Sequence, residues 1–174
     1  VMLNGQGADE FLGGYRRYSA ERMLGSLPPS ARKLSGLMAR CLPNHLPGRM
    51  NAINRRMKKF LTLGGQGQDE RMLGMYTWGA KDRITNLFVD AGKITVGDDL
   101  LEYFHGMDDP DVIRSMMKVD QRYDLMSLNL AYTDRMSMAA GVEARVPFLD
   151  FDLVRLMNSI PSAVSTNGCS NILR

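Results

Sequence analysis

The chain has 174 residues, 44% of them hydrophobic and 24% charged, a globular composition that excludes an intrinsically disordered protein. The formal net charge of +3 and pI near 9.0 come from a small excess of base without a basic block, which does not point to nucleic acid. No apolar run approaches the ~18 residues a membrane span needs, and Val1-Met2-Leu3-Asn4 lacks the basic start and apolar core of a signal peptide, so a cytoplasmic protein is expected.

Val1-Met2-Leu3 reads as the end of a buried strand. One strand cannot satisfy its backbone alone, and no second convincing strand follows, since Ile94-Thr95-Val96 is too short. The chain is therefore expected to be a mostly helical piece of an α/β domain, with one surviving strand at its front. Phe11 to Leu24 reads as a helix weakened by Gly13-Gly14, with Phe11, Leu12, Tyr15, Tyr18 and Met23 on one face and Arg16, Arg17, Glu21 and Arg22 opposite. Pro28-Pro29-Ser30 opens a helix that ends near Cys41. Further helices are expected over 49–63, 68–78, 82–88 and 98–104. Asp109 as N-cap with Pro110 at the first helical position predicts a helix to about Leu125. Another follows from Leu128 to Ala140, stopped by Gly141. A last one, capped by Asp150 or Asp152, runs to Ser159. Asn171-Ile172-Leu173-Arg174 opens one more amphipathic element, so the back of the domain is expected to be cut as well.

Several residues suggest little chemistry. Cys41 and Cys169 form no CxxC and read as reduced thiols. The 14 Met sit in helical segments (Met116, Met117, Met136, Met138, Met157 among them) and read as core filler. His45 and His105 are isolated. Asp108-Asp109-x-Asp111 lacks the spacing of a calcium loop and reads as helix capping. The basic face of Arg49, Arg55, Arg56, Lys58 and Lys59 is most simply solvated, and without interleaved aromatics no nucleic-acid partner is expected.

Two stretches carry more. In Leu3-Asn4-Gly5-Gln6-Gly7-Ala8-Asp9-Glu10 a strand runs through a two-glycine loop into acidic residues at a helix start. Glycines let backbone N–H groups approach phosphate oxygens, and Asp9 beside them would call for Mg²⁺. The competing reading, which spacing alone favours, is a tight turn with Asp9 as helix cap. In Asp134 to Asp150 a small-residue helix end precedes Glu143-x-Arg145 and an extended Val-Pro-Phe-Leu-Asp. Glu143 and Arg145 read as an ion pair under a loop, a structural clamp.

Taken together, Gly-x-Gly-Ala-Asp-Glu-x-x-x-Gly-Tyr (Gly5 to Tyr15) and Asp-Arg-Met-Ser-Met-Ala-x-Gly-x-Glu-x-Arg-Val-Pro-Phe-Leu-Asp (Asp134 to Asp150) resemble the synthetase domain of the glutamine-hydrolysing asparagine synthetase family. The resemblance implies that residues 1–174 are the C-terminal portion of that domain, an ATP pyrophosphatase-type α/β fold with a Rossmann-like sheet. It implies ATP and Mg²⁺, adenylation of the aspartate side-chain carboxylate, and displacement of AMP by ammonia from a glutaminase domain. That domain and the family's Ser-Gly-Gly-x-Asp-Ser loop would lie upstream, so the segment alone is expected to be inactive. Asn4 and Gly5, with Gly7, match nucleotide-contacting positions. Asp9 matches the residue that handles pyrophosphate and Mg²⁺. Met136 to Gly141 and Ala144 match positions near the ammonia path.

The chain departs from the family pattern twice. Gln6 stands where members commonly have a catalytic Glu, and a neutral amide cannot be a general base. Ser170 stands where a phosphate-stabilising Lys is usual. Besides asparagine synthesis, amidation of a different carboxylate and a non-enzymatic helical interaction module are therefore also open.

Overall fold

The computed structural model describes residues 1–45, 47–48, 50–77, 85–90 and 97–165. The expectations for Ile94–Val96, Cys169, Ser170 and the end at Arg174 lie outside these residues, as do Arg49, Trp78 and residues 82–84 of the expected 82–88 helix, whose described residues 86–88 form a turn instead. The chain forms two compact units, one of residues 1–19 with 104–165 and one of Ala20–Tyr103.

In the first unit, β1 (Met2–Leu3) pairs in parallel with β2 (Ala144–Arg145), Met2 opposite Ala144 and Leu3 opposite Arg145. The Met2 N–H donates to the Glu143 carbonyl and the Asn4 N–H to the Arg145 carbonyl, each at 2.8 Å. A second strand was not expected. Its two residues are extended because β1 supplies the backbone partners, and so short a strand leaves no alternation to read.

The helix expected over Phe11 to Leu24 is two helices. α1 (Ala8–Leu12) stops where Gly13 turns left-handed at φ 72°, and α2 (Arg16–Gly25) starts afresh. Gly13-Gly14 thus breaks the helix instead of weakening it, because a left-handed residue closes the last turn at no steric cost only when it is glycine.

α7, whose N-terminal approach was expected at Asp109, spans Val112–Val119 and is capped by Asp111, which accepts from the Ile113 and Arg114 N–H groups. Asp109 lies one turn outside the helix. It accepts from the Asp111 N–H and pairs with Lys118 at 3.1 Å. Burial pushes its carboxyl up, but those donors and Arg114 outweigh it and hold the group below the ordinary carboxylate value.

The break expected near Leu125 is also absent. Backbone at Val119, Asp120, Leu130 and Ala131 stays right-handed helical, so α7 continues through a π-helical stretch (Asp120–Leu130) into α8 (Ala131–Ala139). Gly141, at φ 67°, follows as expected. A 3₁₀ turn (Pro147–Leu149) and α9 (Phe151–Ser159) complete the unit. Asp150 caps α9 through the Asp152 and Leu153 N–H groups. Phe11, Leu125 and Met157 form the core where α1, the π-helical stretch and α9 meet, with Leu149 and Leu153 packed against it.

In the same unit the buried Asp120 accepts from Tyr18 Oη and, at 3.1 Å, from Arg17 Nε. Arg17 also reaches Asp124 at 2.6 Å. Tyr18 and Asp120 are fully buried, so this network satisfies a carboxylate that hydrocarbon alone could not hold.

The second unit holds α3 (Pro29–Cys41), α4 (Met50–Gly64), α5 (Gln68–Tyr76) and α6 (Asp98–Gly106). α2 and α6 each have one end in each unit. Pro28 and Pro29 set the start of α3 as its sequence indicated, and Gly36 and Gly65 let α3 and α4 approach backbone to backbone. Arg55, Arg56 and Lys59 are exposed, in line with a solvated basic face.

Glu21, expected on the solvated face of α2, is buried and held by Arg71 through two bonds, Nε to Oε2 at 3.0 Å and Nη2 to Oε1 at 2.7 Å. Met23, expected on the apolar face, is exposed. The methionines divide: Met72, Met116, Met117 and Met157 are buried, whereas Met136 and Met138 are exposed and fill no core. Among the described residues no helix is long and apolar enough to cross a membrane.

Candidate functional site

The strand-to-helix loop Asn4–Gly7 leaves the C-terminal end of β1, the position at which parallel α/β sheets present ligands. Asn4 Oδ1 accepts from the Gln6 N–H at 3.3 Å and curls the loop into an Asx turn. Gly5 is open: among the described residues, no atom beyond its chain neighbours lies within 4 Å of where a Cβ would stand. Gly7 is pinned. At φ 93° it caps α1, and a Cβ there would lie 3.1 Å from Leu149 Cδ2 and 3.5 Å from Phe148 Cβ. The two stretches singled out in the sequence therefore meet twice, once through the β1–β2 pairing and once through Gly7 against the Pro147–Leu149 turn.

Asp9 is not the cap of α1. That place belongs to Gly7, which has no side chain to offer, and Asp9 sits in the first turn. Among the described residues no donor bonds its carboxylate. The group lies over Gly14, where an added Cβ would fall 1.9 Å from Asp9 Oδ1, so Gly14 is the space the carboxylate occupies. Partial burial, and secondarily the neighbouring Glu10, push the Asp9 pKa up from 3.8.

Glu10 turns the other way and is buried. Its Oε1 accepts from Tyr15 Oη at 2.6 Å and from Asn129 Nδ2 at 3.2 Å. Burial first, then the bond to Glu10, raises the Tyr15 hydroxyl well above its ordinary value, so the phenol stays protonated as a donor. Gln6 donates through Nε2 to the Asn129 carbonyl at 3.2 Å and to Thr133 Oγ1 at 2.6 Å.

Asn4, Gly5, Gln6, Gly7 and Asp9 thus share one loop and helix start. Glu10, Tyr15, Asn129 and Thr133, which hold that loop, were not assigned a role. The signal available for the last two was their spacing of one helical turn just ahead of the second motif.

Glu143 and Arg145 do pair, Nε to Oε1 at 2.9 Å, but with side chains 55% and 65% exposed. The buried clamp expected there is corrected: Glu143 and Arg145, two apart in extended chain, share one face, and that face is exposed while Ala144 between them is half-buried. An exposed pair contributes little. Arg145→Ala should leave the melting temperature unchanged within error in a thermal unfolding scan, and a large drop would restore the clamp.

Residues 1–171 match the family model described as asparagine synthase. The chain is 30% identical over 177 aligned residues, 99% of its length, to asparagine synthetase [glutamine-hydrolyzing] 1 of Bacillus subtilis (strain 168), of which it covers 27%. It is 32% identical over 111 residues, 64% of its length, to a Methanocaldococcus jannaschii protein named provisionally as asparagine synthetase [glutamine-hydrolyzing] 1, of which it covers 16%. The chain thus spans about a quarter or less of the length of these curated relatives. No solved structure matches it at the same level of significance.

Proposed function

The chain belongs to the asparagine synthase family, and from that premise we propose that it is the C-terminal portion of an ATP-dependent amide synthetase that makes asparagine. The observation that carries the proposal is the meeting of the two family stretches at one loop, Gly7 against Leu149 and β1 against β2. In this reading the two-strand parallel pair is the margin of an ATP pyrophosphatase-type sheet supplied by the longer protein. A glutaminase domain and a Ser-Gly-Gly-x-Asp-Ser loop would belong to that protein too.

The proposed reaction has two steps. An aspartate side-chain carboxylate oxygen attacks the α-phosphorus of ATP and pyrophosphate leaves. Ammonia released from glutamine then attacks the acyl carbon and AMP leaves with the bond electrons. Asn4 and Gly5 would lie along the nucleotide, where the open Gly5 admits close approach.

Among the described residues no three His, Cys, Asp or Glu side chains converge on a metal position. A closed metal cage is therefore not the fit. A single carboxylate is, because Mg²⁺ commonly takes one or two carboxylates and completes its shell with phosphate oxygens and water. Asp9 qualifies: its charge is uncompensated, and burial makes that charge costly. Bound there, Mg²⁺ would neutralise charge on the departing pyrophosphate.

The second reading is amidation of a different carboxylate. It is favoured by Gln6, whose amide hydrogens are both directed at Asn129 and Thr133. ATP–pyrophosphate exchange by the intact protein tests both. Exchange that requires aspartate is the expected result. Exchange that ignores aspartate and responds to another carboxylate supports the second reading, and no exchange with any carboxylate overturns the reaction.

A further inference from the structure

We infer that Gln6 is a positioning residue, an amide tie that fastens the Asn4–Gly7 loop to the π-helical stretch, and that it takes no part in moving protons. Its chemical orientation follows from its neighbours. The Asn129 carbonyl oxygen, 3.2 Å away, can only accept, so the atom facing it is the NH₂ group of Gln6. The same nitrogen meets Thr133 Oγ1 at 2.6 Å. Two amide hydrogens thus have two acceptors, one near the end of the π-helical stretch and one in the first turn of α8.

The other end of the amide is different. Gln6 Oε1 is sealed from solvent and, among the described residues, has no hydrogen-bond partner. An ionised carboxylate would be costly in this place. One oxygen would face the Asn129 carbonyl with like partial charge, with only the Thr133 hydroxyl able to turn and donate to it, and the other would carry charge into a position with no donor among the described residues. A protonated acid would fit, since its O–H would replace one N–H. The residue is therefore matched to its site by being a neutral donor. Wide-turn helical stretches of this kind recur at functional sites, and here the stretch supplies the carbonyl on which the loop rests.

The loop that Gln6 ties is also the loop between Gly5 and Asp9, so the tie sets where both stand. That step rests on the reading of the loop as the nucleotide and pyrophosphate site. The tie itself does not.

Gln6→Glu and Gln6→Met separate the possibilities in the intact protein. Gln6→Glu should melt close to the parent at about pH 4.5, where the acid is protonated. It should fall behind by about 5 °C or more by pH 7.5, where ionisation removes the donor. The sign follows from linkage: burial without a donor raises the folded-state pKa of the introduced acid, so its stability is lost as pH rises. Gln6→Met, with no donor at any pH, should show a deficit that does not change with pH. A Gln6→Glu melting curve that tracks the parent at both pH values overturns the tie, as does a deficit equal at both.

Should Gln6→Glu not fold at neutral pH, it is prepared at pH 4.5 and the pH is raised. Unfolding on the way up supports the inference, and a chain unfolded already at pH 4.5 overturns it. In pyrophosphate exchange, folded Gln6→Met should raise the KM for pyrophosphate about tenfold by misplacing the loop. An unchanged KM overturns the positioning role. Absence of exchange in the parent protein as well would fault the proposed reaction and leave the melting result to decide the tie.

Discussion

Glu21→Ala should lower the stability of the fold by about 3–5 kcal/mol, the largest loss expected from any single side chain of the second unit. The carboxylate receives two bonds from Arg71 in a place where both side chains are at most 8% exposed. Removing it leaves a buried guanidinium that still donates from Nη1 to the Gln66 carbonyl at 3.1 Å. Between Glu21 and Asp69 the chain has no acidic residue, so no carboxylate from that stretch can take its place. Glu21 is what holds Arg71 more firmly protonated than usual, and burial opposes it; without Glu21 the guanidinium still keeps its proton, as arginine does throughout proteins, so it will not escape the cost by neutralising. In a thermal scan the loss corresponds to roughly 10 °C for a domain of this size. Replacing both partners by apolar residues, Glu21→Leu with Arg71→Met, should recover much of it, because the cost lies in the unpaired charge. A single-variant melt within a degree of the parent would remove the pair from the list of stabilising contacts.

That pair also shows where reading the chain by periodicity stops. Glu21 sits among Arg16, Arg17 and Arg22, and a helical wheel puts it with them on the wet side. What buries it is an arginine fifty positions away, which no local pattern announces. The same holds for Asp120 and Arg17, and for the continuity of α7 through the π-helical stretch, whereas Tyr18 is buried as its place on the apolar face indicated. A helix that carries a buried carboxylate is kept in register by long-range partners and not by its own propensity.

The elements that were legible are those with local chemistry at their ends. Pro28-Pro29 starts α3, Asp150 caps α9, and Gly141 closes α8. Asp109 misled because it and Asp111 offer the same chemistry. Only the geometry decides that one caps α7 and the other braces Lys118. The candidate site was half legible for the same reason. The glycines and Asp9 stand together in sequence, whereas Asn129, Thr133 and Leu149 come from the far end of the chain.

Asp9→Asn should do two things at once: reduce the pyrophosphate-exchange rate of the intact protein about 100-fold or more, and raise its melting temperature at neutral pH. The first expectation follows from removing the one uncompensated carboxylate of the loop, the group proposed to hold Mg²⁺ against pyrophosphate. The second follows from the direction of its pKa. Burial, aided by Glu10, raises the folded-state value above 3.8. A carboxyl shifted that way contributes its stability in the protonated form, below the unfolded-state value, and loses it as pH rises through the folded-state value. At neutral pH the ionised group is thus a cost that asparagine, of the same shape over Gly14, does not carry. The difference between the two melts should shrink as pH is lowered and vanish once the acid is protonated in both states. If Asp9 served instead as an ordinary first-turn carboxylate of α1, its charge would stabilise the helix start. Asp9→Asn would then lower the melting temperature and leave exchange intact. The two accounts differ in the sign of the stability change as well as in activity. A variant that melts lower than its parent at pH 7 and exchanges pyrophosphate at the parental rate would return Asp9 to the helix and take it out of the reaction.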